Sequence, residues 1–122
     1  MKLAIGVDLI EIERVQGAID RHGAHFLERI YTQAELGEVA EQPASLAARF
    51  AAKEAAAKAL GTGIGRIGWQ EIEILYGPAR EPCLKLSGGA AVLAGELGLQ
   101  NWSVSLSHTH THAIAMVVAI SD

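Results

Sequence analysis

The sequence predicts one α+β domain, in which early helices pack on a mainly antiparallel sheet. Apolar residues recur mostly at helical spacing in the first half of the chain, and mostly with the alternation of strands in the second half. The chain has 122 residues and is 50% hydrophobic, which suits one modest core. No linker, repeat or low-complexity segment interrupts it, so we assign residues 1–122 to a single domain.

The first elements are a strand and three short helices. Large apolar side chains alternate with smaller or polar ones at residues 3–9, which predicts a strand. A helix then begins near Ile12 and is expected to stop at Gly23. A second helix is predicted at residues 26–31. Residues 32–35 have the threonine-to-glutamate spacing of a capping box, which predicts the start of a third helix.

The strongest helix is predicted at residues 44–60. This segment is rich in alanine, Pro43 can occupy its first turn, and Gly61 can end it. One stripe of this helix must face the core because it carries Leu46, Phe50, Ala57 and Leu60.

The remaining elements are mainly strands. Bounded apolar runs predict strands at residues 69–76, 83–86, 101–107 and 112–120, with one helix at residues 88–97.

Charge and composition restrict the kinds of partner. The formal net charge is −4, which argues against broad nucleic-acid binding. Residues 43–66 are different, because they carry four basic side chains against Glu54 alone, as expected for a small-anion site. No segment approaches the roughly 20 apolar residues of a membrane span, and we expect no signal peptide or membrane contact. Cys83 is the single cysteine and is interpreted as a packing residue in the reducing cytoplasm.

Asp8 is the first candidate site residue. It interrupts an apolar strand and points to the face opposite the large side chains. A carboxylate in such a place needs a hydrogen bond, an ion pair or a metal. The simplest alternative is a strand-end aspartate that caps the next helix.

Glu54 and Lys58 are a second candidate, four residues apart on the long helix. An ordinary surface ion pair at this spacing would contribute about 0.3–0.5 kcal/mol. However, Lys53 falls inside the apolar stripe and Arg49 flanks it on the side away from Glu54 and Lys58. Such charges on a helix made for burial indicate an anion and a metal held at its edge.

Two further segments leave alternatives open. The glycine-rich run at residues 61–66 can be a helix cap and connector, or it can let the backbone approach a phosphate beside Arg66. Near the end, His108, His110 and His112 would share one face of an extended strand, where imidazoles can bind zinc. Alternatively, this segment is a turn that presents hydroxyls and one imidazole to a phosphate, or merely a polar hairpin tip.

The motifs GVD at residues 6–8, RFAAKEAAAK at 49–58, GTGIGR at 61–66 and SLSHT at 105–109 together resemble the bacterial holo-acyl-carrier-protein synthase family. Their order and spacing and the chain length fit, so the resemblance covers nearly the whole chain and implies the 4′-phosphopantetheinyl transferase fold. That family transfers the 4′-phosphopantetheine arm of coenzyme A to a serine of apo acyl carrier protein and releases adenosine 3′,5′-bisphosphate.

The resemblance implies roles for individual residues. Asp8 and Glu54 would be magnesium ligands, and Lys58 would lie beside the pyrophosphate as the third catalytic residue. Arg49, His108 and Thr109 would lie near the 3′-phosphate end of coenzyme A, and Gly61 and Gly63 would line the same cleft. The resemblance also implies that Arg14 and Arg21 meet the acidic carrier protein in fatty-acid or polyketide synthesis, and that the protein is a homotrimer with active sites between subunits.

Two other functions are consistent with the residues alone. One is metal-assisted hydrolysis of a phosphate ester at Asp8 and Glu54, with water in place of the carrier serine. The other is a zinc-binding module without enzymatic activity that uses the three histidines.

Overall fold

The computed structural model describes residues 1–39 and 42–122. The elements within these residues are, in order, β1 (Leu3–Glu11), α1 (Ile12–His22), α2 (Ala24–Ile30), α3 (Gln33–Val39), α4 (Pro43–Ala59), a 3-10 turn (Trp69–Glu71), β2 (Ile72–Tyr76), β3 (Pro82–Leu86), α5 (Gly88–Leu97), β4 (Asn101–His108) and β5 (His112–Ile120). The α+β class is confirmed, with every strand pair antiparallel.

The main sheet has the strand order β1-β5-β4, so the first and last strands of the chain pair with each other. Leu3 lies opposite Ile120, and Glu11 lies opposite His112. Strands β2 and β3 form a separate hairpin. None of the helices within the described ranges is long and apolar enough to cross a membrane.

Local signals set the ends of the helices as predicted. Thr32 and Glu35 form a capping box, in which the Glu35 amide donates to Thr32 Oγ1 at 3.1 Å and the Thr32 amide donates to Glu35 Oε1 at 2.9 Å. Pro43 occupies the first turn of α4. Gly61 follows that helix with a φ of 82°, a left-handed conformation that glycine adopts at little cost.

The strand predicted at residues 69–76 is wrong at its start, because residues Trp69–Glu71 form the 3-10 turn and β2 begins only at Ile72. The reason is a carboxylate bound to backbone. Glu71 accepts hydrogen bonds from the amides of Gly68 at 2.9 Å and Gly89 at 3.0 Å. These donors hold the pKa of Glu71 below its usual value and fix the turn.

Helix α4 is the centre of the fold and lies directly on the inner face of the sheet. The alanines of α4 other than Ala44 are buried, as are the inner residues Ala113, Ala115, Val117 and Ala119 of β5. The closest approach is at Gly6, where an added Cβ would lie 1.9 Å from the carbonyl oxygen of Ala55. Small residues on both elements therefore let strand and helix backbones come into contact.

A buried ion pair joins α3 to α4. Lys53 Nζ donates to Glu35 Oε1 at 2.8 Å and to the carbonyl oxygens of Trp69 and Ile72 at 3.1 and 2.6 Å, and both charged side chains are fully buried. The other carboxylate oxygen of Glu35 accepts the amide of Ile74 at 3.0 Å. Burial lowers the pKa of the Lys53 ammonium, and the Glu35 carboxylate opposes that shift.

One apolar expectation fails on exposure. Cys83, expected in the core, lies exposed on β3 because alternate residues of this strand face outward. The outer face of the main sheet is apolar, and its large side chains are exposed. We define this outer face by its large exposed side chains, Leu3, Ile5, Val7 and Leu9 of β1 with Ile114 and Met116 of β5.

The contact between β1 and α4 predicts a steric effect of Gly6→Ala. The added methyl group would overlap the Ala55 carbonyl, so the free energy of unfolding should fall by about 2–3 kcal/mol or more. Urea unfolding followed by circular dichroism measures this change. The control is Gly37→Ala in α3, where a Cβ meets nothing within 4 Å, and stability should be unchanged or rise by about 0.5–1 kcal/mol. Equal effects of the two substitutions would contradict the close approach.

The buried ion pair predicts that Lys53→Met leaves an uncompensated carboxylate at Glu35. Removing one partner of such a pair costs about 3–5 kcal/mol of the free energy of unfolding. Thermal and urea unfolding measure the loss. Lys85→Met, on the exposed side of β3, is the matched control and should change stability by about 0.5 kcal/mol or less.

Candidate functional site

Asp8 and Lys58 lie together where β1 crosses α4. Lys58, in the last helical turn, donates from Nζ to Asp8 Oδ1 at 3.1 Å and to the carbonyl oxygen of Val7 at 3.0 Å. The Asp8 side chain is 19% exposed and that of Lys58 is 53% exposed, so the ammonium can reach solvent and a ligand. Asp8 follows Gly6 by two residues and shares its inward face, so the backbone contact at Gly6 positions this pair.

Glu54 lies one turn before Lys58 and is half-buried. Burial raises the pKa of its carboxyl group, the negative charge of Asp8 raises it further, and Lys58 opposes the shift. In the described part of the chain, Lys58 forms its ion pair with Asp8 and not with Glu54. The ion pair between Glu54 and Lys58 within the helix therefore does not form, and Lys58 pairs with the carboxylate of β1 instead.

This donor set fits a hard divalent cation. Besides burial, the negative charge of Asp8 raises the pKa of Glu54, and a positive ion between the two carboxylates would relieve their repulsion. Magnesium usually takes one or two carboxylates together with phosphate and water oxygens. Within residues 1–39 and 42–122 no three His, Cys, Asp or Glu side chains converge as a metal site. The chain thus offers Asp8 and Glu54, and other ligands would have to come from substrate and solvent.

A second group of predicted residues lines a cavity of about 320 Å³ between α4, β4 and the β2–β3 turn. His108 and Arg49 both contribute to its wall. Further polar or aromatic residues of the same wall are Ser45, Tyr76, Arg80, Ser105 and Ser107. The metal-site candidates Asp8, Glu54 and Lys58 do not line this cavity.

Arg49 lines the cavity, but its charge is already compensated. The side chain is 2% exposed, and Nη2 forms an ion pair with Glu38 at 2.9 Å. Nη1 donates to the carbonyl oxygen of Glu35 at 3.2 Å. Arg49 and Lys53, two of the four cations in the basic segment, thus serve the packing of α3 on α4.

The two groups face different sides of α4. Arg49 and Lys58 are nine residues apart, which at about 100° per residue places them roughly 180° apart around the helix axis. Asp8 and Glu54 belong to the Lys58 side, and His108 belongs to the Arg49 side. One chain therefore carries the predicted site residues as two separate half-sites.

Gly61 and Gly63 lie at the Lys58 end of α4. The Gly61 amide donates to the Lys58 carbonyl at 2.9 Å, and the Gly63 amide donates to the Ala57 carbonyl at 3.3 Å. Both have positive φ, 82° and 70°. The run is a helix cap in this structure, with its backbone next to the Asp8–Lys58 pair.

The histidine-rich segment is a hairpin between β4 and β5 and not an extended strand. Thr109 Oγ1 accepts from the amides of Thr111 at 3.3 Å and His112 at 3.1 Å, which closes the turn. His110 lies on the exposed tip. The expectation of one shared strand face is wrong for His108, His110 and His112, since the chain reverses between them.

Arg14 and Arg21 are exposed on α1 and line a groove of about 450 Å³ beside Phe26 and Phe50. Glu13 lines the same groove, so its charge is mixed. An acidic helix could meet the two arginines here.

Several residues of these sites were missed from the sequence. Arg80 and Tyr76 line the cavity between α4, β4 and the β2–β3 turn, and Glu38 neutralises Arg49. The available signal was Arg80 itself, a lone basic residue in a turn of an otherwise acidic region.

Comparison with known proteins agrees with this geometry. The sequence profile of the 4′-phosphopantetheinyl transferase superfamily matches residues 4–117. The holo-[acyl-carrier-protein] synthase of Herpetosiphon aurantiacus is 49% identical over 97% of this chain and 98% of its own length. The enzyme of the same name from Dehalococcoides mccartyi is 48% identical over 96% and 98%.

A solved structure extends the comparison. The crystal structure of Helicobacter pylori holo-[acyl-carrier-protein] synthase in complex with coenzyme A superposes with a TM-score of 0.87, at 34% identity over 95% of this chain and 99% of that chain. These matches confirm the resemblance predicted from the motifs. The protein therefore belongs to the 4′-phosphopantetheinyl transferase superfamily, within its holo-[acyl-carrier-protein] synthase family.

Proposed function

We propose that this protein transfers the 4′-phosphopantetheine arm of coenzyme A to a serine of an apo acyl carrier protein and releases adenosine 3′,5′-bisphosphate. The observation that carries the proposal is the group of Asp8, Glu54 and Lys58, two carboxylates and one accessible ammonium held where β1 crosses α4. The names of the relatives support the same reaction. The carrier would serve fatty-acid or polyketide synthesis.

The proposed cofactor is magnesium, held by Asp8 and Glu54. A bound magnesium ion would neutralise charge on the pyrophosphate of coenzyme A. Its support in this chain is the nearness of the two carboxylates, since burial and then the negative charge of Asp8 raise the pKa of Glu54.

The residues themselves supply positioning and charge. The serine oxygen attacks the phosphorus that bears pantetheine, and the bond from that phosphorus to the bridging oxygen of the pyrophosphate breaks. The bridging oxygen keeps the electron pair and leaves as part of adenosine 3′,5′-bisphosphate. Lys58, half-exposed beside Asp8, stabilises the negative charge that develops on the phosphate oxygens. The serine proton passes to a base, for which the Glu54 carboxylate and a metal-bound water are the two candidates.

The proposed docking site for the carrier protein is α1. Arg14 and Arg21 are exposed on this helix. They line a groove whose apolar residues include Phe26 and Phe50. The family resemblance implies an acidic carrier protein. Attraction between its negative charge and the two arginines would therefore steer the encounter.

The proposed assembly is a homotrimer with active sites between subunits. The two half-sites on opposite sides of α4 support a shared site, because a neighbouring copy could bring His108 to Lys58. The apolar outer face supports self-association, since contiguous exposed apolar surface commonly marks an interface. The number three rests on the family resemblance. The proposed location is the cytoplasm, where the exposed thiol of Cys83 would stay reduced.

Substitution of Glu54 tests the reaction. Glu54→Gln keeps the shape and removes the charge, so the rate of pantetheine transfer should fall about 100-fold or more. The measurement is mass spectrometry of apo acyl carrier protein incubated with coenzyme A and magnesium. The matched control is Glu96→Gln, an exposed glutamate of α5, which should transfer at the unaltered rate.

Two results would contradict the proposal. One is full transfer by the Glu54→Gln variant in buffer stripped of magnesium. The other is release of adenosine 3′,5′-bisphosphate in the absence of carrier protein, which would favour hydrolysis of a phosphate ester at the same residues.

Substitution on the outer face tests the assembly. Met116 is 44% exposed at the centre of that face. Met116→Lys places an ammonium group there, and burial of an unpaired ammonium in an interface should dissociate the subunits. Light scattering should give three times the 12.9 kDa chain mass for the unaltered protein and one chain mass for the variant. Val92→Lys, on exposed α5, should remain assembled. An unaltered protein that is monomeric at micromolar concentration would rule out the homotrimer.

A further inference from the structure

Gly17 lies in the middle of α1, where a glycine is an unfavourable residue. Helix α1 runs from Ile12 to His22, and Gly17 is half-buried on it. Glycine weakens a helix interior relative to alanine, because its backbone has more conformational freedom to lose. The φ of Gly17 is not positive, so the backbone itself does not require a glycine here. The side-chain packing around the residue does offer a reason for one.

The guanidinium of Arg21 lies against the space that a side chain at Gly17 would fill. A Cβ added at Gly17 would be 3.2 Å from Arg21 Nη1 and 3.9 Å from Arg21 Cζ. The first distance is shorter than ordinary van der Waals contact, so an alanine would displace the guanidinium. The arrangement follows from helix geometry, since side chains lean toward the helix N-terminus and cover the residue four positions earlier.

No counter-ion fixes the position of Arg21. Among residues 1–39 and 42–122, this exposed side chain forms no ion pair. The neighbouring carboxylate, Asp20, accepts a hydrogen bond from Gln16 Nε2 at 2.8 Å instead. The contact with Gly17 is therefore what the structure offers to order this guanidinium.

Arg14 gives an internal comparison within the same groove. Arg14 and Arg21 are seven residues apart, so they lie within about 20° of each other around the axis of α1, and both line the groove with Gly17. No atom of Arg14 comes within 4 Å of the added Cβ, because its side chain leans toward the preceding turn. The two cations thus differ, since Gly17 affects the position of Arg21 and not that of Arg14.

We propose that Gly17 is a positioning residue that raises the affinity for the carrier protein by holding the Arg21 guanidinium at the groove before the carrier binds. The inference rests on the proposed function, in which an acidic carrier meets α1. Ordering a long side chain on binding costs free energy, so a guanidinium that is already in place binds a carboxylate more tightly. The glycine thus weakens the helix and strengthens recognition.

Gly17→Ala tests the inference, because fold stability and carrier recognition should change in opposite directions. The Tm should rise by about 2–5 °C, since alanine favours the helix. The KM for apo acyl carrier protein should rise about two- to tenfold, while kcat and the KM for coenzyme A stay unchanged, because the lost contact is remote from the reacting atoms. Gly37→Ala in α3 is the matched control and should leave both KM values unchanged.

A double-mutant cycle shows whether the effect acts through Arg21. Arg21→Ala should raise the KM for the carrier, and adding Gly17→Ala to it should raise that KM no further. An increase of equal size with and without the arginine would overturn the proposal, because the new methyl group would then obstruct the carrier itself. An unchanged KM in the single Gly17→Ala variant would overturn it as well.

Side-chain NMR gives a readout that does not depend on transfer. The order parameter of the Arg21 Nε–H group should fall in Gly17→Ala, and that of Arg14 should stay the same. No loss of order at Arg21 would overturn the positioning role of Gly17 while the transferase proposal stands. If the unaltered protein transfers no pantetheine, the proposed function fails, and the order of Arg21 still decides whether Gly17 positions it.

Discussion

The backbone contact between β1 and α4 is the constraint on which the rest of the molecule depends. Without a Cβ at Gly6, the strand lies against the carbonyl of Ala55, and the alanines of α4 fill the remaining space on both sides. Asp8 comes two residues after Gly6 on the same strand face. It forms an ion pair with Lys58, which lies about one helical turn after Ala55. Core packing and site geometry are thus set by the same close approach.

The distribution of charge follows from how α4 is neutralised. Glu35 and Glu38 of α3 compensate Lys53 and Arg49, two of the cations that α4 buries. Lys58, at the end of the helix, forms an ion pair with Asp8 and stays half-exposed. A helix rich in basic residues therefore has a structural half and a chemical half. Only the second half presents charge to a ligand.

Sequence reasoning succeeded where the deciding contacts are local. The capping box of residues 32–35, the alanine-rich helix and its glycine stop depend on neighbours within one turn, so their spacing predicts them. It failed where the partner is distant in sequence. Nothing near Arg49 in the sequence reveals Glu38 as its counter-ion. Periodicity alone did not show that the large apolar side chains of β1 face away from α4. The placement of Asp8 with Glu54 and Lys58 in one site likewise came from family resemblance and not from spacing, and the ion pair between Asp8 and Lys58 is seen only in the structure.

The alternation along β1 has a consequence for insertions and deletions. Gly6 and Asp8 share the inner face, and Leu3, Ile5, Val7 and Leu9 share the outer face, so a shift of one residue exchanges the two sets. Such a shift would turn the carboxylate away from Lys58 and drive an isoleucine or valine into the Ala55 carbonyl. A shift of two residues keeps each set on its own side. Length changes in this strand are therefore constrained by parity, and the odd ones remove the site and the packing in a single event.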